Sequence, residues 1–306
     1  MKTKLIYLLI FSFTTSVLAD DDVIGGQLLA ASEYPEVVQF KIKRSNSTVN
    51  CTGTFISSNT ILTAAHCLTE VIECKPYQVL GKNISLVIDG VLKKSPVKSI
   101  LTNSEFLDPP SKQDGKCVRR TNPRYDLGLI IFKNEIQKKS LKVSTQFAKA
   151  AHKNVSLKYR TIGFGNSIIP EIEIFSKKYF KDYDCIQENN RNKKQIGHIR
   201  LKVNNEMMPL QSVFTEYIYD SASMTNYKSS YAQLLPGDSG GPLINNKNEI
   251  VGINSQFHHK EITTEGKFGK VIGYKTRSYF TPTHRIENIK FLKLAKAYGS
   301  NFSLDP

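Results

Sequence analysis

The 306-residue sequence predicts an all-β protein. Short stretches of apolar or alternating character recur at 37–43, 53–56, 84–89, 127–132, 157–162 and 249–253. Gly, Pro, Asn and Ser turns separate them, and no βαβ alternation is visible, so the pattern points to sandwiches or barrels rather than a parallel sheet. A content of 40% hydrophobic and 23% charged residues suits a chain that buries a core. The length suffices for one large domain or two small ones sharing a cleft.

The N-terminus reads differently. Lys2 and Lys4 precede an apolar run over 5–18, which ends in Ser16-Val17-Leu18-Ala19. This order of charge, apolar run and small residues predicts a cleavable signal peptide over 1–19. A membrane anchor would need a longer run, and no other 18-residue apolar stretch follows, so no stable membrane insertion is expected. The protein is expected to be secreted or periplasmic. Export turns the five cysteines into disulfide candidates rather than metal ligands, and an odd count leaves one without a partner in the chain. No spacing resembles a zinc site, so neither metal nor cofactor is expected.

The formal charge of +15 comes from scattered residues such as Lys41, Lys43, Arg44, Lys138, Lys139, Lys177, Lys178, Arg191 and Lys193. Such a surface attracts anionic surfaces or acidic proteins. Nucleic acid is not an expected partner, because no basic and aromatic motif gathers these charges. Two stretches, 102–123 and 183–231, read as long surface excursions. Near the end, Thr281 can cap a helix, Pro282 suits its first turn, and Ile286, Ile289, Leu292 and Leu294 sit near one face until Gly299. A packing helix over about 282–298 is expected.

The chemistry is concentrated in two motifs. Gly237-Asp238-Ser239-Gly240-Gly241-Pro242 places a serine on a tight glycine turn, where backbone amides crowd beside its hydroxyl. The amides of Gly237 and Ser239 are the natural donors to an oxyanion that forms during attack on a carbonyl. The second motif, Thr63-Ala64-Ala65-His66-Cys67, follows Cys51-Thr52-Gly53-Thr54-Phe55-Ile56.

On these residues the chain resembles the chymotrypsin/trypsin-like (S1) serine proteases over nearly all of 23–289. The resemblance implies two six-stranded antiparallel β-barrels with a C-terminal helix, and a catalytic site in the cleft between them. It implies a domain over 23–306, with a first barrel over about 37–146 and a second over about 147–282. His66 would be the base and Ser239 the nucleophile. Chain order in the family makes Asp126, at the head of the apolar segment 127–132, the residue behind the histidine. An aspartate entering a buried strand needs partners, and the imidazole Nδ1–H is one. A Cys51–Cys67 disulfide is implied, while Cys74 and Cys117 form a candidate second pair and Cys185 lacks its usual partner. Ser255 sits where the family has a serine bonding the aspartate, and Thr161-Ile162-Gly163-Phe164-Gly165 resembles its Gly-aromatic-Gly turn.

Two features depart from that pattern. Val23-Ile24-Gly25-Gly26 resembles the family's new N-terminus, whose amino group would pair with Asp238 after cleavage of a short pro-segment, 20–22. Yet Asp20-Asp21-Asp22 offers no Lys or Arg, so either another protease removes them or the insertion does not occur. The position of the pocket base is Gln233 instead of an acid, and Phe257 follows Ser255 and Gln256, where it can narrow the entrance. Cleavage after a neutral or small side chain is expected. Partners would be protein or peptide substrates and protein inhibitors. The competing expectation is a catalytically silent homologue that acts as a binding module.

Overall fold

The computed structural model describes residues 26–30, 32–73, 75–88, 90–106, 111–113, 116–118, 121–145, 157–165, 195–202, 210–212, 215–220, 225–226, 234, 236–266, 269–302 and 304. Residues 1–23, Cys74, Cys185 and Gln233 lie outside the described residues, so the expected signal peptide, pro-segment and Val23 terminus do too. Cys117 and Phe257 are described by their main chain alone.

Two large antiparallel sheets dominate. The first has seven strands in the order Val91–Lys93, Ile84–Ile88, Val37–Lys43, Thr48–Ser57, Thr60–Thr63, Gly128–Phe132 and Val97–Thr102. Alternation explains the strand Val37–Lys43, in which Phe40 and Ile42 are buried while Lys41 and Lys43 are exposed. All five residues of Gly128–Phe132 are buried, which matches a continuous apolar run with no solvent face. Phe40, Phe55, Ile61, Leu62, Leu86, Leu129 and Phe132 are among the residues that fill this core.

The second sheet has nine strands. Within it, Gln195–Lys202 pairs with Leu157–Gly163, which pairs with Pro242–Ile244, then Ile250–Gly266, then Gly269–Pro282. Leu210–Ser212 pairs with both Gly269–Pro282 and Gln195–Lys202, so these six strands close into a ring. The N-terminal strand Gly26–Leu28 adds to the outside of Gln195–Lys202, with Gly26 opposite Gly197. The first described strand therefore lies on the second sheet, and the strands that follow it build the first.

Three expectations change here. The stretch 183–231 contains strands; within Gln195–Lys202, Ile199 and Leu201 alternate in the sequence with His198, Arg200 and Lys202, a period-2 signal inside an Asn- and Lys-rich tract. The segment read as 249–253 continues to Gly266, because Gly269–Pro282 supplies a main-chain partner along the whole length. The helix runs over Ile286–Ala297, not from 282. Thr281 and Pro282 finish the last strand opposite Ile253 and Gly252, and the Thr281 hydroxyl donates to the Pro123 carbonyl at 2.7 Å instead of capping.

The buried face of the helix is Asn288, Phe291, Leu292 and Ala295, an i, i+3, i+4, i+7 stripe, whereas Ile286 and Leu294 are exposed. This face packs into the core of the first sheet. Asn288 accepts from Asn103 Nδ2 at 2.9 Å and donates to the carbonyls of Arg124 and Pro282, tying the helix to the segment just before Asp126. Among the described residues, no helix is long and apolar enough to cross a membrane.

Candidate active site

His66 sits in the short 3₁₀ turn Ala65–Cys67, directly after the buried strand Thr60–Thr63. A disulfide joins Cys67 to Cys51 in the neighbouring strand, as the resemblance implied, with the two Cα atoms 6.4 Å apart. A second tether comes from Arg44, whose guanidinium donates to the carbonyls of His66 (2.9 Å) and Cys67 (3.3 Å). Burial lowers the Arg44 pKa, and the nearby Glu70 carboxylate works against that shift.

Asp126 is fully buried at the entrance to the strand Gly128–Phe132. Three donors converge on its carboxylate. The His66 main-chain N–H reaches Oδ1 at 2.8 Å, while His66 Nδ1 and the Ser255 hydroxyl reach Oδ2 at 2.7 and 2.6 Å. Burial alone would raise the Asp126 pKa, but the His66 charge and these three hydrogen bonds outweigh it, and the group is held below the usual carboxylate range. An ionised Asp126 fixes the imidazole through Nδ1 and turns Nε2 outward. The His66 side chain keeps 25% of its surface exposed, whereas Asp126 is closed off from solvent.

Ser239 meets Thr52 and Cys67, the residue after His66, through its main chain. Its carbonyl accepts from Thr52 N–H at 2.8 Å and lies 3.8 Å from Cys67 Sγ. Its hydroxyl forms no hydrogen bond with His66 among the described residues. The turn around it uses two left-handed glycines, Gly237 at φ +104° and Gly240 at φ +84°. At Gly240 a Cβ would collide with the Thr63 hydroxyl and the Thr52 carbonyl, so only glycine fits against the first sheet. Among the described residues, no acceptor takes the amide N–H of Gly237 or of Ser239.

Asp238, between Gly237 and Ser239, is buried, with its carboxylate against Gly163 and Gly165. Its Oδ1 accepts from Gly165 N–H at 2.8 Å. A side chain at either Gly163 or Gly165 would overlap its carboxylate, which explains the Gly-Phe-Gly sequence of that turn. Its main-chain carbonyl accepts from Asn254 Nδ2 at 3.1 Å, and Asn254 Oδ1 in turn accepts from the Thr161 hydroxyl at 2.7 Å.

His66, Asp126 and Ser255 thus meet at one carboxylate, and Gly237, Asp238 and Ser239 lie in a turn held against Thr52 and Cys67. Val23 and Gln233 lie outside the described residues, as does the Phe257 side chain. Arg44, Thr52 and Asn254 were not singled out by sequence reasoning. Thr52 stood inside the quoted motif 51–56 and Asn254 immediately before Ser255, so adjacency was the only signal for either.

Comparison with known proteins bears on the fold and the family. HBP, solved at atomic resolution, shares 13% identity over 92% of this chain and 99% of that one, with a TM-score of 0.51. A scabies mite inactivated protease paralogue shares 10% identity over 89% and 99%, with a TM-score of 0.50. A Glu endopeptidase in complex with MPD shares 15% identity over 92% and 99%, with a TM-score of 0.47. For the first two, at these identities, the likeness is one of fold. The family profile described as Trypsin matches residues 23–277, most of the chain, and the chain belongs to the trypsin family.

Proposed function

We propose that this protein is a secreted serine endopeptidase that hydrolyses peptide bonds through an acyl-enzyme. The observation that carries the reading is the buried Asp126 carboxylate on His66 Nδ1, with the Ser239 carbonyl 3.8 Å from Sγ of the next residue, Cys67. Ser239 Oγ attacks the scissile carbonyl carbon while His66 Nε2 takes its proton. The carbonyl oxygen becomes an oxyanion facing the N–H groups of Gly237 and Ser239. Collapse breaks the C–N bond, and the imidazolium returns the proton to the departing amine. Water then repeats the sequence on the ester and frees the acid. Asp126 keeps the proton on Nδ1 throughout and stabilises the imidazolium, without itself being protonated.

The finer assignments belong to the same proposal. Residues 1–19 direct export and 20–22 are removed, which frees Val23 to pair with Asp238. Barrels over about 37–146 and 147–282 flank the cleft. Gln233, Ser255 and Phe257 shape a pocket for a neutral or small side chain. Cys74 pairs with Cys117. Protein or peptide substrates and protein inhibitors are the partners.

The test is a fluorophosphonate probe on the mature protein, followed by mapping of the labelled residue. Covalent label on Ser239 that S239A and H66A abolish is the expected result. A second reading, a silent homologue serving as a binding module, is favoured by the missing bond between the Ser239 hydroxyl and His66. A correctly folded chain that takes no label would establish that reading and overturn the first.

A further inference from the structure

Thr52 is a fully buried residue one position after Cys51, in the middle of the strand Thr48–Ser57. Its hydroxyl donates to the Gly237 carbonyl at 2.8 Å and accepts from Phe164 N–H at 3.1 Å. Its own N–H donates to the Ser239 carbonyl at 2.8 Å. A hydroxyl has one proton, and here that proton is committed to Gly237. One residue therefore grips the carbonyls of both residues whose amides stay uncommitted beside the nucleophile.

We infer that Thr52 is a positioning residue for the oxyanion site, holding the Gly237 amide in register from the first sheet; the inference rests on the peptidase reading above. Gly237 is one of two soft points in the loop, because a left-handed glycine can rotate where other residues cannot. The Thr52 hydroxyl fixes the Gly237–Asp238 peptide plane, so the Gly237 N–H lies one Cα from an anchored group. The same oxygen secures Phe164, between the two glycines that cradle Asp238. The anchor is stiff. Its strand pairs on one side with Val37–Lys43 and on the other with Thr60–Thr63, and the disulfide lies at the next residue. Asp238 orders the loop from the second sheet, and Thr52 orders it from the first.

The experiment compares wild-type mature protein with T52V and T52S. It measures the burst of p-nitrophenol from p-nitrophenyl acetate, the rate of fluorophosphonate labelling at Ser239, and thermal midpoints. Valine keeps the shape and removes the hydroxyl, leaving the Gly237 carbonyl and Phe164 N–H without it. The acylation rate constant of T52V is expected to fall about 10- to 100-fold while the ester's apparent binding constant changes less than about threefold, the signature of an interaction felt in the transition state. T52S, which keeps the hydroxyl, is expected to stay within about threefold of wild type. A merely structural role would lower the midpoint of T52V and leave the folded fraction acylating normally, and that result overturns the inference. T52S as slow as T52V also overturns it. Should T52V fail to fold, T52A removes the same hydroxyl without a branched side chain and carries the comparison. A wild-type chain that shows neither burst nor label overturns the peptidase reading and this inference together, whereas an active wild type with an unimpaired T52V overturns the inference alone.

Discussion

Replacing Asp126 by asparagine tests the electrostatic centre of the site with almost no change of shape. Every group that touches the carboxylate is a donor: His66 N–H on Oδ1, and His66 Nδ1 with the Ser255 hydroxyl on Oδ2. An amide offers only one acceptor oxygen. If that oxygen stays with the His66 N–H, the new NH₂ faces Nδ1 and donates to it. The imidazole proton must then reside on Nε2, the nitrogen that accepts the Ser239 proton in the proposed mechanism. If the amide turns over, its NH₂ meets the His66 N–H and a fully buried donor is left without an acceptor, at a cost of roughly 1–3 kcal/mol. The first arrangement is therefore preferred, and it holds histidine in the wrong tautomer. A loss of this kind is worth about 10⁴-fold in acylation, or about 5.5 kcal/mol of transition-state stabilisation. The assay is the p-nitrophenyl acetate burst at pH 7, with circular dichroism and a thermal melt to establish folding. A folded D126N protein that acylates within tenfold of wild type would refute the role assigned to this carboxylate.

The remaining predictions concern the frame around that centre. G165A places a methyl group on the Asp238 carboxylate and should cut the rate of Ser239 labelling by more than about 100-fold, since it displaces the loop bearing both amides; labelling at the wild-type rate would show that Asp238 does not order the loop. Removing the Cys51–Cys67 bridge, which spans a sequence separation of 16, by C51A/C67A should cost about 3 kcal/mol. That corresponds to a fall of about 5–10 °C in thermal midpoint, and an unchanged midpoint would contradict it. Acid should act in two windows. His284 is pushed down to about 4 by burial and by Arg285, so from about pH 6.5 downward the unfolded state takes up the proton first and stability declines, a slope H284Q should remove. Asp126, held below its unfolded pKa of about 3.9, adds stability above that value and loses it as pH falls through the lower native value. D126N should therefore show a shallower decline below about pH 4, and equal slopes would refute the coupling.

What the sequence reveals and what it hides follow one physical division. The Val37–Lys43 strand and the His66 turn are legible because their signals are local: a side-chain period of two, and a histidine beside a cysteine. Asp126 is legible because the resemblance calls for an acid between His66 and Ser239 in chain order, and a carboxylate at the head of Leu127–Gly128–Leu129–Ile130 has no reason to enter a core without a partner. Thr281-Pro282 misleads for the opposite reason. Its local preference for a helix start is genuine, yet main-chain pairing with Gly252 and Ile253 outweighs it and delays the helix to Ile286. Thr52 has no local signal at all. A threonine in a strand is an ordinary β-former, and its hydroxyl matters only because a loop 185 positions later arrives against it. Arg44 likewise reads as one more surface charge until the chain turns back and places the carbonyls of His66 and Cys67 under its guanidinium. The groups that react in such a site announce themselves by motif, because their chemistry demands particular neighbours. The groups that hold them are chosen by tertiary approach, so any polar residue with the right reach can serve, and sequence alone does not single it out.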